Sequence, residues 1–201
     1  MFIKKKSKGI TLIEMIVVLG IFSMALVAIT TYAWMSLRAQ NKSVKHILAQ
    51  NSARKALSVA ASEIRSSMYS DAGAYPIVEA TANSITFYTN VDEDINAELV
   101  RYFINGSDLK RGVIEPQGDP PNYDGTEQVN TLARYITNPN NIFTYYDQNY
   151  EGTNDPLAFP VNKSIIKIVR FNLTIDVDTQ RLPEPVNVNT EAQLRNLKEN
   201  L

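Results

Sequence analysis

The side chain most in need of a chemical explanation is a carboxylate. Glu14 is the only charged residue between positions 10 and 37, a run of 28 residues that is otherwise apolar or small. A carboxylate one turn inside such a run costs about 2.5–3.5 kcal/mol to bring into lipid, so it is expected to have a partner. In front of it, Lys4, Lys5, Lys6 and Lys8 form a basic flank that ends at Gly9, and Ile10 opens the apolar run. Other reactive residue types are sparse. Cysteine is absent, which excludes thiol catalysis and Cys-ligated metals, and His46 is the single histidine. One chain therefore builds neither a Ser-His-Asp triad nor a histidine metal site.

The element that positions Glu14 is a membrane segment. Roughly 20 apolar residues at about 1.5 Å rise each span a bilayer core, so residues 10–37 are long enough to cross with some tilt. The apolar run is too long for a secretory signal peptide, and the one plausible breaker at its front, Gly9, precedes the run rather than following it. The lysines at 4–8 are expected to hold the N-terminal end in the cytoplasm and send the remainder outward, although Arg38, Lys42 and Lys45 on the other flank oppose this. With 201 residues, the chain has room for one modest soluble domain beyond the segment. Charge divides along the same line: residues 1–70 hold ten Lys/Arg against two acids, whereas residues 71–201 hold ten against nineteen. An acidic head has no general attraction for nucleic acid.

No Pro or Gly appears between Leu37 and Gly73, so the helix is expected to continue to about residue 68, on the order of 90 Å in all. Val44, Ile47, Leu48, Ala53, Leu57, Ala60 or Ala61, Ile64 and Met68 form one apolar stripe at helical spacing, read as the core face of the head. Arg38, Lys42, Lys45, Arg54 and Lys55 read as a solvated or headgroup-facing run. Beyond residue 71 the period changes. Residues 84–90 and 98–105 read as strands, Asn105-Gly106-Ser107-Asp108 as a turn, and 109–115 as the returning strand. Residues 127–136 read as a short helix and 142–147 as a strand. Val169, Phe171, Leu173, Ile175 and Val177 alternate with Arg170, Asn172, Thr174 and Asp176, the cleanest half-buried strand in the chain. Pro183 and Pro185 break it; Val186 to Leu194 alternate again, with a terminal helix over 191–201 as the competing reading. The fold class expected is α+β: residues 10–37 as a transmembrane helix, 38–70 as its amphipathic continuation, and 71–201 as an antiparallel β head of four to six strands.

Lys8-Gly9-Ile10-Thr11-Leu12-Ile13-Glu14, with the apolar run attached, resembles the processing site of type IV pilins and type II secretion pseudopilins. The resemblance implies a pilin fold, a leader (residues 1–9) removed by a prepilin peptidase between Gly9 and Ile10, and N-methylation of Ile10. Ile10 departs from the Phe or Met most common there. Residues 109–116, 143–149 and 193–197 look like the minor pilins and J-type pseudopilins, which sit at a filament tip. The disulfide loop of many pilins is missing. Once cleaved, Ile10 would carry an amine at the same depth as Glu14 of a neighbouring subunit, the two halves of an intersubunit ion pair.

That resemblance implies a non-enzymatic filament subunit. Its partners would be prepilin peptidase, other pilin or pseudopilin subunits through helix 10–68, the inner-membrane assembly platform, and the membrane before assembly. Some members bind calcium, and Asp92, Glu93 and Asp94 are the nearest candidate ligands. Consecutive carboxylates lack the interleaved spacing of a calcium loop, so a solvated turn and no cofactor are expected. One alternative is an adhesin or DNA-uptake receptor carried on a filament, with Tyr123, Tyr145, Tyr146 and Tyr150 as ligand contacts; these read more naturally as core or sheet-edge residues. A membrane-anchored enzyme is the other.

Overall fold

The computed structural model describes residues 9–92, 94–138, 140–179 and 184–195. The lysines at 4–8, Glu93, Pro183 and the end of the proposed C-terminal helix lie outside them. The chain is α+β: helix α1 (Leu12–Arg65) precedes eight strands. Two compact units divide inside this helix, the first running to Val44 and the second beginning at Lys45.

In the first unit, α1 presents large apolar side chains to solvent all around, among them Leu12, Ile16, Val18, Phe22, Met24 and Trp34. A helix apolar on every side and buried by nothing in its own chain belongs in lipid or against other helices.

In the second unit, α1 becomes one-sided. His46, Ala49, Ala53, Ala56, Leu57, Ala60, Ala61 and Ile64 are buried at three- and four-residue spacing. Five of these are alanines, which let the helix backbone approach the sheet closely. The expected stripe is correct from Ala53 to Ile64 and out of phase before it. Val44, Ile47 and Leu48 are more than half exposed, and His46 and Ala49 take the inward positions. Met68, past the helix end, is only half-buried.

The helix face covers a five-stranded antiparallel meander in the order β1 (Ile77–Ala80), β2 (Ser84–Thr89), β3 (Glu98–Asn105), β4 (Asp108–Ile114), β5 (Gln128–Ala133). Register sets Ile85 opposite Tyr102 and Phe87 opposite Val100, and these four are fully buried. A second sheet joins β6 (Phe143–Tyr146), β7 (Ile168–Ile175) and β8 (Val186–Gln193), with Phe143 opposite Phe171 and Leu173 opposite Val188. The buried residues of helix and both sheets form one core.

Among the described residues the head thus has eight strands in two sheets rather than four to six in one. Two readings need correction. Residues 127–136 contain the edge strand β5 and no helix; an edge strand exposed on both faces over Gln128 to Thr131 has no alternation to betray it. β1, four residues long, escaped notice because its flanks Tyr75-Pro76 read as loop. The β7 face is as expected from Val169 to Ile175, except that the next outward position, Asp176, is buried. Through Gln193 the C-terminal segment is strand, which excludes helix over 191–193.

Candidate functional site

Glu14 is held by the residue that begins its own helix. Thr11 donates to Glu14 Oε2 twice, from its backbone N–H at 2.9 Å and its hydroxyl at 3.1 Å. In return the Glu14 backbone N–H donates to Thr11 Oγ1 at 3.3 Å, and Met15 N–H to the Thr11 carbonyl at 3.2 Å. This is a capping box: two N–H groups that the first turn would leave open are satisfied reciprocally. The pattern Thr-x-x-Glu was readable in the sequence and supplies a role for Thr11 that the spacing of Glu14 alone did not suggest. Both hydrogen bonds fall on Oε2, so among the described residues Oε1 accepts none. A carboxylate half-satisfied at home and open on the other side can enter an apolar medium more cheaply than a bare one and still receive a cation. Gly9 and Ile10 precede the helix in exposed, non-helical backbone, accessible to an enzyme.

The head holds a second polar arrangement, buried and not foreseen. Glu63 near the end of α1 receives Arg111 of β4 through two bonds, Nη2 to Oε1 at 2.8 Å and Nε to Oε2 at 3.1 Å, and the Tyr102 hydroxyl at 2.7 Å. The charged side chains are each 14 % exposed. Burial first, and the carboxylate second, raise the pKa of the Tyr102 hydroxyl, so it remains a donor. This triad fixes the end of the helix to the centre of the sheet.

The remaining candidates disperse. Tyr145 is fully buried and donates to the carbonyls of Thr81 and Ser84; Tyr123 donates to Ala97 and stacks beside Tyr88 at 4.9 Å. Tyr146 and Tyr150 stack on each other beneath Arg170, which pairs with Glu191. These tyrosines serve the head's own packing. His46 is buried with neither ring nitrogen hydrogen-bonded, so it acts as an apolar wedge on the helix face. Arg38, Lys45, Arg54 and Lys55 are exposed, Arg38 lying over Trp34. Asp94 closes a turn, its carboxylate accepting from Asn96 N–H at 2.6 Å while its own N–H donates to Asp92 Oδ1 at 3.2 Å; Glu93 lies outside the described residues.

A capped carboxylate in the first turn of a solvent-exposed apolar helix, which continues into the packing helix of a β head, defines a subunit suited to membrane anchoring through its N-terminal helix. Residues 4–30 match the family model of the prokaryotic N-terminal methylation motif, and with the long apolar helix that follows, this segment is similar to the N-terminal segment of prepilins of the type IV pilin and pseudopilin type. No curated protein matches the chain.

Proposed function

We propose that the chain is a minor subunit of a type IV pilus or a type II secretion pseudopilus, without enzymatic activity. It is made as a precursor with its N-terminus in the cytoplasm, cleaved by prepilin peptidase between Gly9 and Ile10, methylated on Ile10, and drawn from the membrane into a filament. The observation that carries this reading is the coincidence of an accessible Gly9-Ile10 peptide with a single carboxylate whose Oε1 is left open. The new amine of Ile10 on one subunit meets Glu14 of the next, and the pair sets axial register. Two buried charges cost less together than apart, which makes it a device of register rather than of adhesion. The head faces outward, and its tyrosines are committed to internal packing, which speaks against the receptor alternative.

Intact mass spectrometry of the protein extracted from wild-type membranes tests this. The expected mass lacks Met1 to Gly9 and carries a methyl group, and the same species is recovered from sheared filaments. A full-length mass in cells with active prepilin peptidase refutes it.

A further inference from the structure

Three carboxylates from separate segments meet beyond the end of α1. Asp92 stands in the β2–β3 loop, Glu98 opens β3, and Glu115 follows the last residue of β4; one oxygen from each lies within 4.8 Å of the others. Exposed acids gather on many surfaces without meaning, but Glu98 is not exposed. The residue is 1 % accessible, and while Oε2 accepts from the Val91 N–H at 2.6 Å, Oε1 is buried with no hydrogen-bond partner among the described residues. An orphaned carboxylate oxygen in the interior is expensive, and native folds supply a partner.

No side-chain cation is that partner. Among the described residues Oε1 receives no donor of any kind, and Arg101, Arg111 and Arg170 pair with Glu127, Glu63 and Glu191. Burial raises the Glu98 carboxyl above the usual carboxylate range; the Val91 N–H opposes this, and Asp92 and Glu115 add repulsion. The site is also rigidly built. Next to Glu98, Ala97 is clamped on both sides, its N–H donating to Asp71 Oδ2 at 2.9 Å and its carbonyl accepting the Tyr123 hydroxyl at 2.7 Å.

We propose that Asp92, Glu98 and Glu115 form a binding site for a hard divalent cation of calcium size, which ties the β2–β3 loop to the end of β4. The donors are all carboxylate oxygens, which suit calcium or magnesium rather than zinc or copper. Oxygens around one calcium at about 2.3–2.6 Å lie no more than about 5 Å apart, and the three fall within that limit. Calcium tolerates the irregular geometry of a loop, with water and backbone carbonyls completing its shell, whereas magnesium demands a near-ideal octahedron. The bound loop also carries Ile95, 94 % exposed, so the cation would govern how that side chain is presented.

The test uses the full chain in detergent micelles, stripped with EGTA and titrated with terbium, whose luminescence the neighbouring Tyr88 and Tyr123 would sensitise. Saturable binding at one site is expected, displaced by calcium at about tenfold lower concentration than by magnesium, and weakened about tenfold or more by Glu98→Gln or Glu115→Gln but not by Glu151→Gln. Wild-type affinity in both site variants, or displacement by magnesium and calcium alike, means a diffuse acidic surface and overturns the proposal. Should the variants misfold, hydrogen exchange of residues 90–97 in the wild-type chain decides. Slower exchange in calcium than in EGTA supports the site, and identical exchange overturns it.

Discussion

Replacing Glu63 with alanine should unfasten the end of α1 from the sheet it packs on. The carboxylate receives three hydrogen bonds, two from Arg111 and one from Tyr102, in a setting where each charged partner is 14 % exposed. Individually, hydrogen bonds to charged groups contribute about 1.5–3 kcal/mol, but these share one acceptor group and do not add. The larger consequence is what remains: a guanidinium pointing into the core and a tyrosine hydroxyl with no acceptor. Losing one member of a buried pair costs about 3–5 kcal/mol, so Glu63→Ala should lose that much. With a urea slope of about 2 kcal/mol per molar, the midpoint should fall by about 1.5–2.5 M, followed by near-UV tyrosine circular dichroism of the full chain in detergent. Arg111→Leu alone should cost a similar amount by leaving the carboxylate without a cation and with the Tyr102 hydroxyl as its remaining donor. The double variant should cost less than the sum of the two by at least about 1 kcal/mol, since it strands no charge. A Glu63→Ala midpoint within about 0.5 M of wild type, or strict additivity in the cycle, would refute the buried-triad account.

Two further outcomes follow from the same contacts. Glu14→Ala should be processed normally, because the cleavage site lies outside the helix, yet be absent from sheared filaments; mutant subunits in wild-type amounts there would remove the ion-pair reading. Tyr102 and Tyr145 are buried, which raises both hydroxyls above the ordinary value of 10. The folded head therefore holds these protons where the unfolded chain releases them. Their contribution to stability is full below pH 10 and declines above it, by about 1.4 kcal/mol per pH unit for each group. Alkaline titration of tyrosinate absorbance should leave these two silent until the head unfolds; ionisation of every tyrosine near pH 10 in a folded head would contradict this.

What was legible in the sequence followed from one-dimensional rules. The apolar run with its single carboxylate, the helix that continues past Leu37 where no Pro or Gly interrupts it, and the period-two pattern of β7 depend on local composition, and all three stand in the structure. What was missed depended on pairing. β5 exists because β4 offers an edge, and the sequence of β5 carries no face of its own. The phase of the buried stripe changed at its start because small residues pack closest: Ala49 went inward where Ile47 and Leu48 had seemed the better core. The grouping of acidic residues depends on pairing in the same way. Asp92, Glu93 and Asp94 are adjacent in sequence, but the residues that join Asp92 in space are Glu98 and Glu115, brought there by the hairpins. A signal for Glu98 existed in ELVRYFIN, since the alternation that turns Val100 and Tyr102 inward turns Glu98 inward too.

Both ends of α1 carry a glutamate in a place where a carboxylate is costly, and the two are satisfied differently. Glu63 is saturated: its oxygens are taken by Arg111 and Tyr102 of the same chain, which suits a permanent joint. Glu14 is capped on one oxygen by its own first turn and open on the other, which suits a contact made only when another subunit arrives. The side chains around each agree. Alanines surround the approach to Glu63, where the helix must come close to its own sheet, whereas Ile, Leu, Val and Met around Glu14 remain exposed for lipid or neighbouring helices. If both carboxylates served only the fold, removing either would be felt in the stability of the head. On this account Glu63→Ala lowers the urea midpoint of the head and Glu14→Ala leaves it unchanged.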